Sequence, residues 1–111
     1  MGPQPDPLVL WMLHDARWAQ NGMDLAIAAD QSDEQVAERA EQAVTRAIRA
    51  VLAVRGVKFR TDALDEMIRL LDDNSITHPA ALFEAGAFDR DAVRDRVRDV
   101  IAWATAEVIG N

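Results

Sequence analysis

The chain contains no cysteine among its 111 residues. This excludes a disulfide scaffold, a thiolate zinc or iron–sulfur site and thiol catalysis, and it is consistent with a reducing compartment. A long hydrophobic run is also missing, because the longest, Leu8 to Leu13, is far shorter than the roughly 20 residues that span a bilayer. The opening segment MGPQPDP lacks the positive charge of a signal peptide and does not match a myristoylation signal. We therefore expect a cytoplasmic protein with no membrane attachment.

Positive charge is scarce, since 12 lysines and arginines stand against 19 aspartates and glutamates, which gives a net charge of −7. Phosphate repels such an anion, so the balance argues against a non-specific nucleic-acid binder unless a local basic patch overrides it. Half of the residues are hydrophobic, which is enough for a core. The length predicts one domain, with residues 1–7 as a flexible lead-in and residues 8–110 as a single helical bundle.

No segment shows the alternation typical of a strand, whereas apolar residues recur at three- and four-residue steps along most of the chain. A first helix is predicted from Leu8. Its apolar pattern comprises Leu8, Trp11, Met12, Ala19, Met23, Ala26 and Ile27. A second helix is predicted from a cap at Ser32 or Asp33 to a stop at Gly56. Its single apolar stripe comprises Val36, Ala40, Ala43, Val44, Ala47, Ile48, Val51 and Leu52.

Three further helices complete the predicted fold. Thr61 is expected to cap a third helix that ends at Asp72-Asp73-Asn74, and a brief fourth helix covers residues 80–85. Asp89 is expected to cap the last helix, which runs to Gly110. The sequence thus predicts an all-α protein, an antiparallel up-and-down helical bundle of four main helices plus one short helix.

Few residues suit catalysis or metal binding. The histidines, His14 and His78, have no metal-binding partner at helical spacing, and we interpret both as surface or capping residues. No phosphate-binding glycine loop and no GxSxG motif are present. The acidic residues between Asp62 and Asp73 have the chemistry to bind magnesium, but several of them fall in the first turn of a helix, where the dipole explains them. The sequence therefore predicts no metal site and no cofactor.

Two features of the surface suggest contacts. The last helix carries a stripe of arginines beside a stripe of aspartates, which we interpret as a solvated face or a charged rim on a helix contact rather than an RNA track. If the first and last helices pack together, Trp11 and Trp103 are candidates for one interface, with ordinary core packing as the alternative.

The second helix and the turn after it carry a family resemblance. The segment AEQAVTRAIRAVL, residues 40–52, followed by Arg55-Gly56-Val57, resembles the central helix of the HEPN (higher eukaryotes and prokaryotes nucleotide-binding) domain family. Thr61-Asp62-Ala63-Leu64 then lies where many members have Thr-His-Asp-Leu. The resemblance covers roughly residues 11–109. It implies a small helical bundle, often a homodimer and frequently paired with a minimal nucleotidyltransferase in toxin–antitoxin or related defence systems.

Active members of that family are metal-independent ribonucleases that use an arginine followed, after four to six residues, by a histidine. Histidine moves the proton during attack by the 2′-hydroxyl, and arginine holds the phosphate. Neither His14 nor His78 has an arginine at that spacing. The nearest relic is Arg55 with Asp62, where a carboxylate replaces the imidazole and is a poor general acid at neutral pH.

Three functional hypotheses follow. The leading one is a non-catalytic HEPN-like module that dimerises or binds a protein partner, with a weak nucleotide or RNA site at Arg46, Arg49 and Arg55. The second is a metal-independent ribonuclease toxin with a degenerate site at Arg55 and Asp62. The third is an unrelated bundle that acts as an adaptor or inhibitor, whose acidic surface docks on a basic partner.

Overall fold

A computed structural model describes residues 6–61, 63–79 and 89–110, and these residues form four helices. The helices are α1 (Pro7–Ala28), α2 (Asp33–Val54), α3 (Leu64–Asp73) and α4 (Arg90–Ile109). No strand occurs within these described ranges, which confirms the prediction of an all-α bundle. The predicted short helix at residues 80–85 lies outside the described residues. The first helix begins at Pro7, one residue before the predicted start at Leu8.

Helix α2 begins and ends where its sequence predicts. The Ser32 hydroxyl caps the helix by accepting a hydrogen bond from the Gln35 amide at 3.3 Å. At the other end Gly56 adopts a φ of +74°, a left-handed conformation that glycine accepts readily. The Val57 amide then donates to the Leu52 carbonyl and closes the helix. Every residue of the predicted apolar stripe is buried, so α2 forms the centre of the core.

Helix α1 is continuous despite the glycine at its middle. Its first turn is capped by Asp6, whose carboxylate accepts from the Leu8 amide at 2.8 Å. Gly22 lies against α2, where an added Cβ would sit 3.3 Å from the Arg39 guanidinium. A glycine in a helix costs about 1 kcal/mol relative to alanine. Here it lets an arginine of α2 lie close to the α1 backbone.

The predicted apolar pattern of α1 is wrong at Leu8 and Trp11, whereas Met12 packs against the core as predicted. Leu8 and Trp11 are exposed, and the residues that face the core there are Val9, Leu13 and Ala16. The second half follows the prediction, because Ala19, Met23 and Ala26 are all buried. Apolar residues occur on two faces of this helix, so its periodicity alone does not identify the buried face.

The predicted cap of α3 is also wrong. Ala63 occupies the N-cap position, and the Thr61 hydroxyl instead accepts from the Ala63 amide in the turn before the helix. The predicted end is confirmed, since the helix stops at Asp73 and the Asn74 side chain donates to the Leu70 carbonyl. Helix α3 packs on α2 through its buried residues.

Helix α1 runs antiparallel to both α2 and α4. A short turn at residues 29–32 joins it to α2, and Asp15 meets Arg46 of α2 at 3.4 Å. The Arg17 guanidinium donates to the Thr105 hydroxyl near the end of α4. The start of α4 lies at the opposite end of α1, where Arg90 donates to the backbone carbonyl of the turn residue Gln31.

Helices α2 and α4 consequently run in the same direction. At their N-terminal ends the Arg90 guanidinium lies 2.9 Å from the Asp33 carboxylate. At their C-terminal ends Arg55 donates to Glu107 through two nitrogens, at 2.6 and 3.1 Å. Of the arginine and aspartate stripes, Arg90 alone makes a polar contact with another helix among the described residues. The three aspartates of the stripe are exposed, which fits the interpretation as a solvated face.

Candidate interaction sites

Among the described residues, the largest exposed apolar feature is a row of four side chains on α1, which we call the α1 stripe. Leu8, Trp11, Trp18 and Leu25 are 62, 67, 68 and 63% exposed. Single exposed apolar residues are ordinary on protein surfaces, whereas a row that includes two tryptophans on one helix is not. The α1 stripe is therefore the strongest candidate for a binding surface.

Helical geometry explains why these side chains share one side of α1. Trp11, Trp18 and Leu25 are seven residues apart in succession, and seven residues complete almost two turns. The buried residues Ala16 and Met23 lie on the opposite side, against α2 and α4. Helix α1 therefore has one apolar face for its own bundle and a second that points to solvent.

The surroundings of the α1 stripe are mostly uncharged. The His14 ring meets the Trp11 ring edge-on, with centroids 5.7 Å apart and an interplanar angle of 88°. Asp15, at one edge, is paired with Arg46 of α2. His14 is exposed, in agreement with its interpretation as a surface residue.

Trp103, the other tryptophan expected at an interface, has a different environment. Its side chain is half-buried and packs against the core, and its indole N–H donates to the Thr77 carbonyl at 2.9 Å. The structure therefore places Trp103 in contacts within the chain. Trp11 contacts His14 on its own helix, so the structure gives the two tryptophans separate surroundings.

The interpretation of His78 as a surface or capping residue is wrong, because its side chain packs in a cluster with Asp72 and Trp103. His78 is only 6% exposed at its side chain, and its Nε2 atom lies 2.7 Å from a carboxylate oxygen of Asp72. Its ring centroid is 6.2 Å from that of Trp103. The cluster joins the end of α3 to α4. The six-residue separation of Asp72 and His78 is bridged by a turn with Ser75 at a φ of +58°, which periodicity does not reveal.

The three arginines of the predicted nucleotide site do not converge. Arg46 and Arg49 line one groove of about 330 Å³ along α2, together with Glu38 and Glu41. Arg55 points away from this groove, because nine residues along a helix correspond to half a turn beyond two full ones. The groove has two acidic and two basic side chains, so its formal charges cancel.

Each of these arginines also has a partner within the chain. Arg46 pairs with Asp15, and Arg49 lies over the Phe59 ring at 5.9 Å. Arg55 is held by Glu107 of α4. Asp62, the other half of the Arg55 pair, lies outside the described residues. The geometry thus favours structural roles for all three arginines over a shared phosphate site.

No group of three or more histidine, aspartate or glutamate side chains in the described ranges is placed to hold a metal ion. Within the same ranges, no helix is both long enough and apolar enough to cross a bilayer. Comparisons with protein-family models, with curated proteins and with solved structures find no match to this chain. The HEPN resemblance therefore rests on the residues of α2 and the loop after it.

Proposed function

We propose that this chain is a non-catalytic, HEPN-like helical module that forms a homodimer through the α1 stripe. The observation that carries the proposal is the second apolar face of α1, which the described residues of the bundle leave exposed. A helix with apolar residues on two sides gains free energy when a partner covers the outer side, because apolar surface leaves water. Such a face is typical of helix-mediated association.

The exposed area is adequate for a dimer contact. Each tryptophan of the α1 stripe exposes on the order of 150 Å². With Leu8 and Leu25 the patch falls in the range of about 300–600 Å² that often marks a functional surface. Polar neighbours such as His14 and Asn21 add to this, towards the roughly 800 Å² per protomer that a stable interface buries.

A second copy is the favoured occupant because the α1 stripe is self-complementary. If two α1 helices pack antiparallel about a two-fold axis at Trp18, then Trp18 meets the partner's Trp18. Trp11 then lies opposite the partner's Leu25, since both are seven residues from the axis. This pairing puts apolar side chains together at all three positions. It leaves the charged side chains at the edges, which matters for a chain with a net charge of −7.

The HEPN part of the proposal is supported by the place of the matching segment. Residues 40–52 form the buried central helix of the bundle, the position that the resemblance implies. The non-catalytic part is supported by Arg55, because its guanidinium is engaged by Glu107 and turned away from Arg46 and Arg49. A protein partner such as a minimal nucleotidyltransferase, which the resemblance implies, belongs to the same proposal.

The dimer is tested by measuring the mass of the purified protein in solution over a range of concentrations. We expect a dimer, with Trp18→Ser and Trp11→Ser each weakening the dimer by about 30-fold or more, as central tryptophans of interfaces do. Ile109→Ser is the matched control, because Ile109 is 54% exposed but lies on α4. A wild-type protein that is monomeric up to about 100 μM contradicts the proposal.

The antiparallel arrangement has its own test, because the chain has no native cysteine to interfere. Disulfides form between cysteines whose Cα atoms approach to about 4.4–6.8 Å. Substitutions in the α1 stripe weaken the dimer, so the cross-linking is done at a protein concentration above the dissociation constant of the variants. Under that condition we expect Trp18→Cys to form a disulfide with itself, and a mixture of Trp11→Cys and Leu25→Cys proteins to form the mixed dimer. Efficient self-linking of Trp11→Cys would instead indicate parallel helices.

The ribonuclease alternative is tested with end-labelled RNA, with and without EDTA. We expect no cleavage above that of an Arg55→Ala control. Metal-independent cleavage that disappears in Arg55→Ala would contradict the non-catalytic part of the proposal and leave the dimer test unaffected.

A further inference from the structure

A second groove lies between α1 and α4, away from the centre of the α1 stripe. It measures about 510 Å³, and we call it the α1–α4 groove. Its floor contains Ala102 and Ala106, and its basic side chains are Arg17 and Arg98. Ile109 closes one end and is 54% exposed. The groove thus combines an apolar floor with two positive charges.

The charge of this groove is opposite to that of the protein. No aspartate or glutamate is among its lining residues in the described ranges, although the chain carries seven more acidic than basic residues. Arg17 is held in place by a neutral group, since it donates to the Thr105 hydroxyl at 3.2 Å. Arg98 is 56% exposed at its side chain, and its contact with Asp95 spans 4.0 Å. The positive charge of both arginines is therefore only weakly neutralised within the chain.

The floor of the groove is suited to close approach by a helix. Ala102 and Ala106 are four residues apart, so they lie one above the other on the same face of α4. Small side chains at this spacing let another helix lie close to α4 and place its apolar side chains in the groove. The floor has no aromatic ring on which a nucleic-acid base could stack, which argues against single-stranded RNA.

The spacing of the arginines specifies the pattern of a complementary helix. Arg17 contacts Thr105, which lies seven residues after Arg98 on α4, so the two positive charges are separated by about 10 Å along the helix. Two acidic residues seven positions apart on a parallel or antiparallel helix have the same separation. Apolar residues three and four positions from either acid then face the alanine floor.

We propose that the α1–α4 groove binds an acidic amphipathic helix of a partner protein, through the charges of Arg17 and Arg98 and the floor of Ala102 and Ala106. The proposal is independent of dimer formation, because none of these residues belongs to the α1 stripe. The partner helix is then expected to have two acidic residues seven positions apart, with two apolar residues between them at the third and fourth positions after the first acid. Partner recognition and self-association would then use neighbouring but separate surfaces of α1.

The test uses a synthetic helical peptide with glutamates at positions i and i+7 and leucines at i+3 and i+4, labelled for fluorescence anisotropy with the full-length protein. We expect saturable binding that weakens at high salt, because exposed charge pairs are screened. A control peptide with glutamine at both acidic positions should bind at least about tenfold more weakly. No saturable binding at about 1 mM protein overturns the proposal.

Charge-reversal variants identify the site. Arg17→Glu and Arg98→Glu should each weaken peptide binding by about tenfold at low salt. Arg69→Glu on α3 is the matched control, because it changes the net charge equally at an exposed site outside the groove. Ala102→Gln, which fills the floor without adding charge, should also weaken binding.

The outcomes separate this proposal from the dimer. Equal loss in Arg69→Glu would mean that only net charge matters, and it overturns the proposal. Binding of a single-stranded oligouridine that is as tight as that of the acidic peptide also overturns it. Both groove arginine variants should keep the wild-type oligomeric state, so a failed dimer test and a failed peptide test are distinguishable.

Discussion

Helices α1 and α2 have the same length, 22 residues, and pack against each other, yet their apolar residues are distributed differently. Helix α2 buries nine residues and leaves no large apolar side chain strongly exposed. Helix α1 buries six and exposes two tryptophans on the other side. The difference indicates that the apolar residues of α2 serve only to form the core. Helix α1 contributes to the core and also exposes a second apolar face, the one that we propose for association.

The largest expected difference between the two helices comes from introducing an aspartate at a buried position of α2 and at an exposed position of α1. Val44→Asp places an unpaired carboxylate at a fully buried position of α2, and we expect it to lower the free energy of unfolding by about 4 kcal/mol or more. Trp18→Asp puts the carboxylate in water and should change the stability of the monomer by less than about 1 kcal/mol.

Urea denaturation followed by circular dichroism checks both values, at a protein concentration low enough to dissociate a dimer. Equal destabilisation by the two variants would mean that the outer face of α1 is covered within the chain, and the comparison would fail.

A smaller effect on stability is expected to distinguish the half-buried Trp103 from the exposed Trp11. Trp103→Phe keeps a large ring in the half-buried site but removes the N–H that donates to the Thr77 carbonyl. We expect a loss of about 1 kcal/mol in the free energy of unfolding, the usual net value of one hydrogen bond.

Trp11→Phe is the control at a protein concentration low enough to dissociate a dimer, because Trp11 is mostly exposed in the single chain. Thermal unfolding monitored by circular dichroism compares the two. A larger loss in Trp11→Phe than in Trp103→Phe would reverse the assignment of surface and core.

The smallest expected effects come from substituting two glycines, one within α1 and one just after the end of α2. Gly22→Ala should stabilise the protein by about 0.5–1 kcal/mol, because alanine favours the helix. Among the described residues, the added Cβ comes within 4 Å only of the far end of the Arg39 side chain. Gly56→Ala should destabilise it by about 1 kcal/mol, because its φ of +74° disfavours a side chain.

Denaturant unfolding of both variants under the same conditions measures whether each substitution raises or lowers the free energy of unfolding. Loss of stability in Gly22→Ala would show that Arg39 cannot move aside and that the approach of α1 to α2 requires a glycine.

The parts of the fold that could be predicted are those in which local signals agree. In α2 the cap at Ser32, the stop at Gly56 and a single apolar stripe all indicate the same helix, and the structure confirms each. In α1 the sequence has two apolar faces, and the choice between them depends on where α2 and α4 pack. The helix was predicted but its buried face was not.

The candidate sites were less predictable for a related reason. Arg46, Arg49 and Arg55 are close in sequence, but helical rotation separates Arg55 from the others, and its partner Glu107 is 52 residues away. The α1–α4 groove brings Arg17 to Thr105, which are 88 residues apart. Contacts of this kind depend on the order and direction of the helices, which the local pattern does not encode.

The order of the helices in the chain also determines when each part of the core can form during synthesis. The α1–α2 hairpin has a turn of a few residues and precedes α4 in the chain, whereas the polar contacts of α4 with α1 and α2 span 52 to 88 residues. During synthesis at about 5–20 residues per second, the hairpin is complete several seconds before the last helix. In that interval the hairpin exposes both the α1 stripe and the side that α4 later covers. Two nascent chains on one messenger could therefore meet through α1 before either has closed its core.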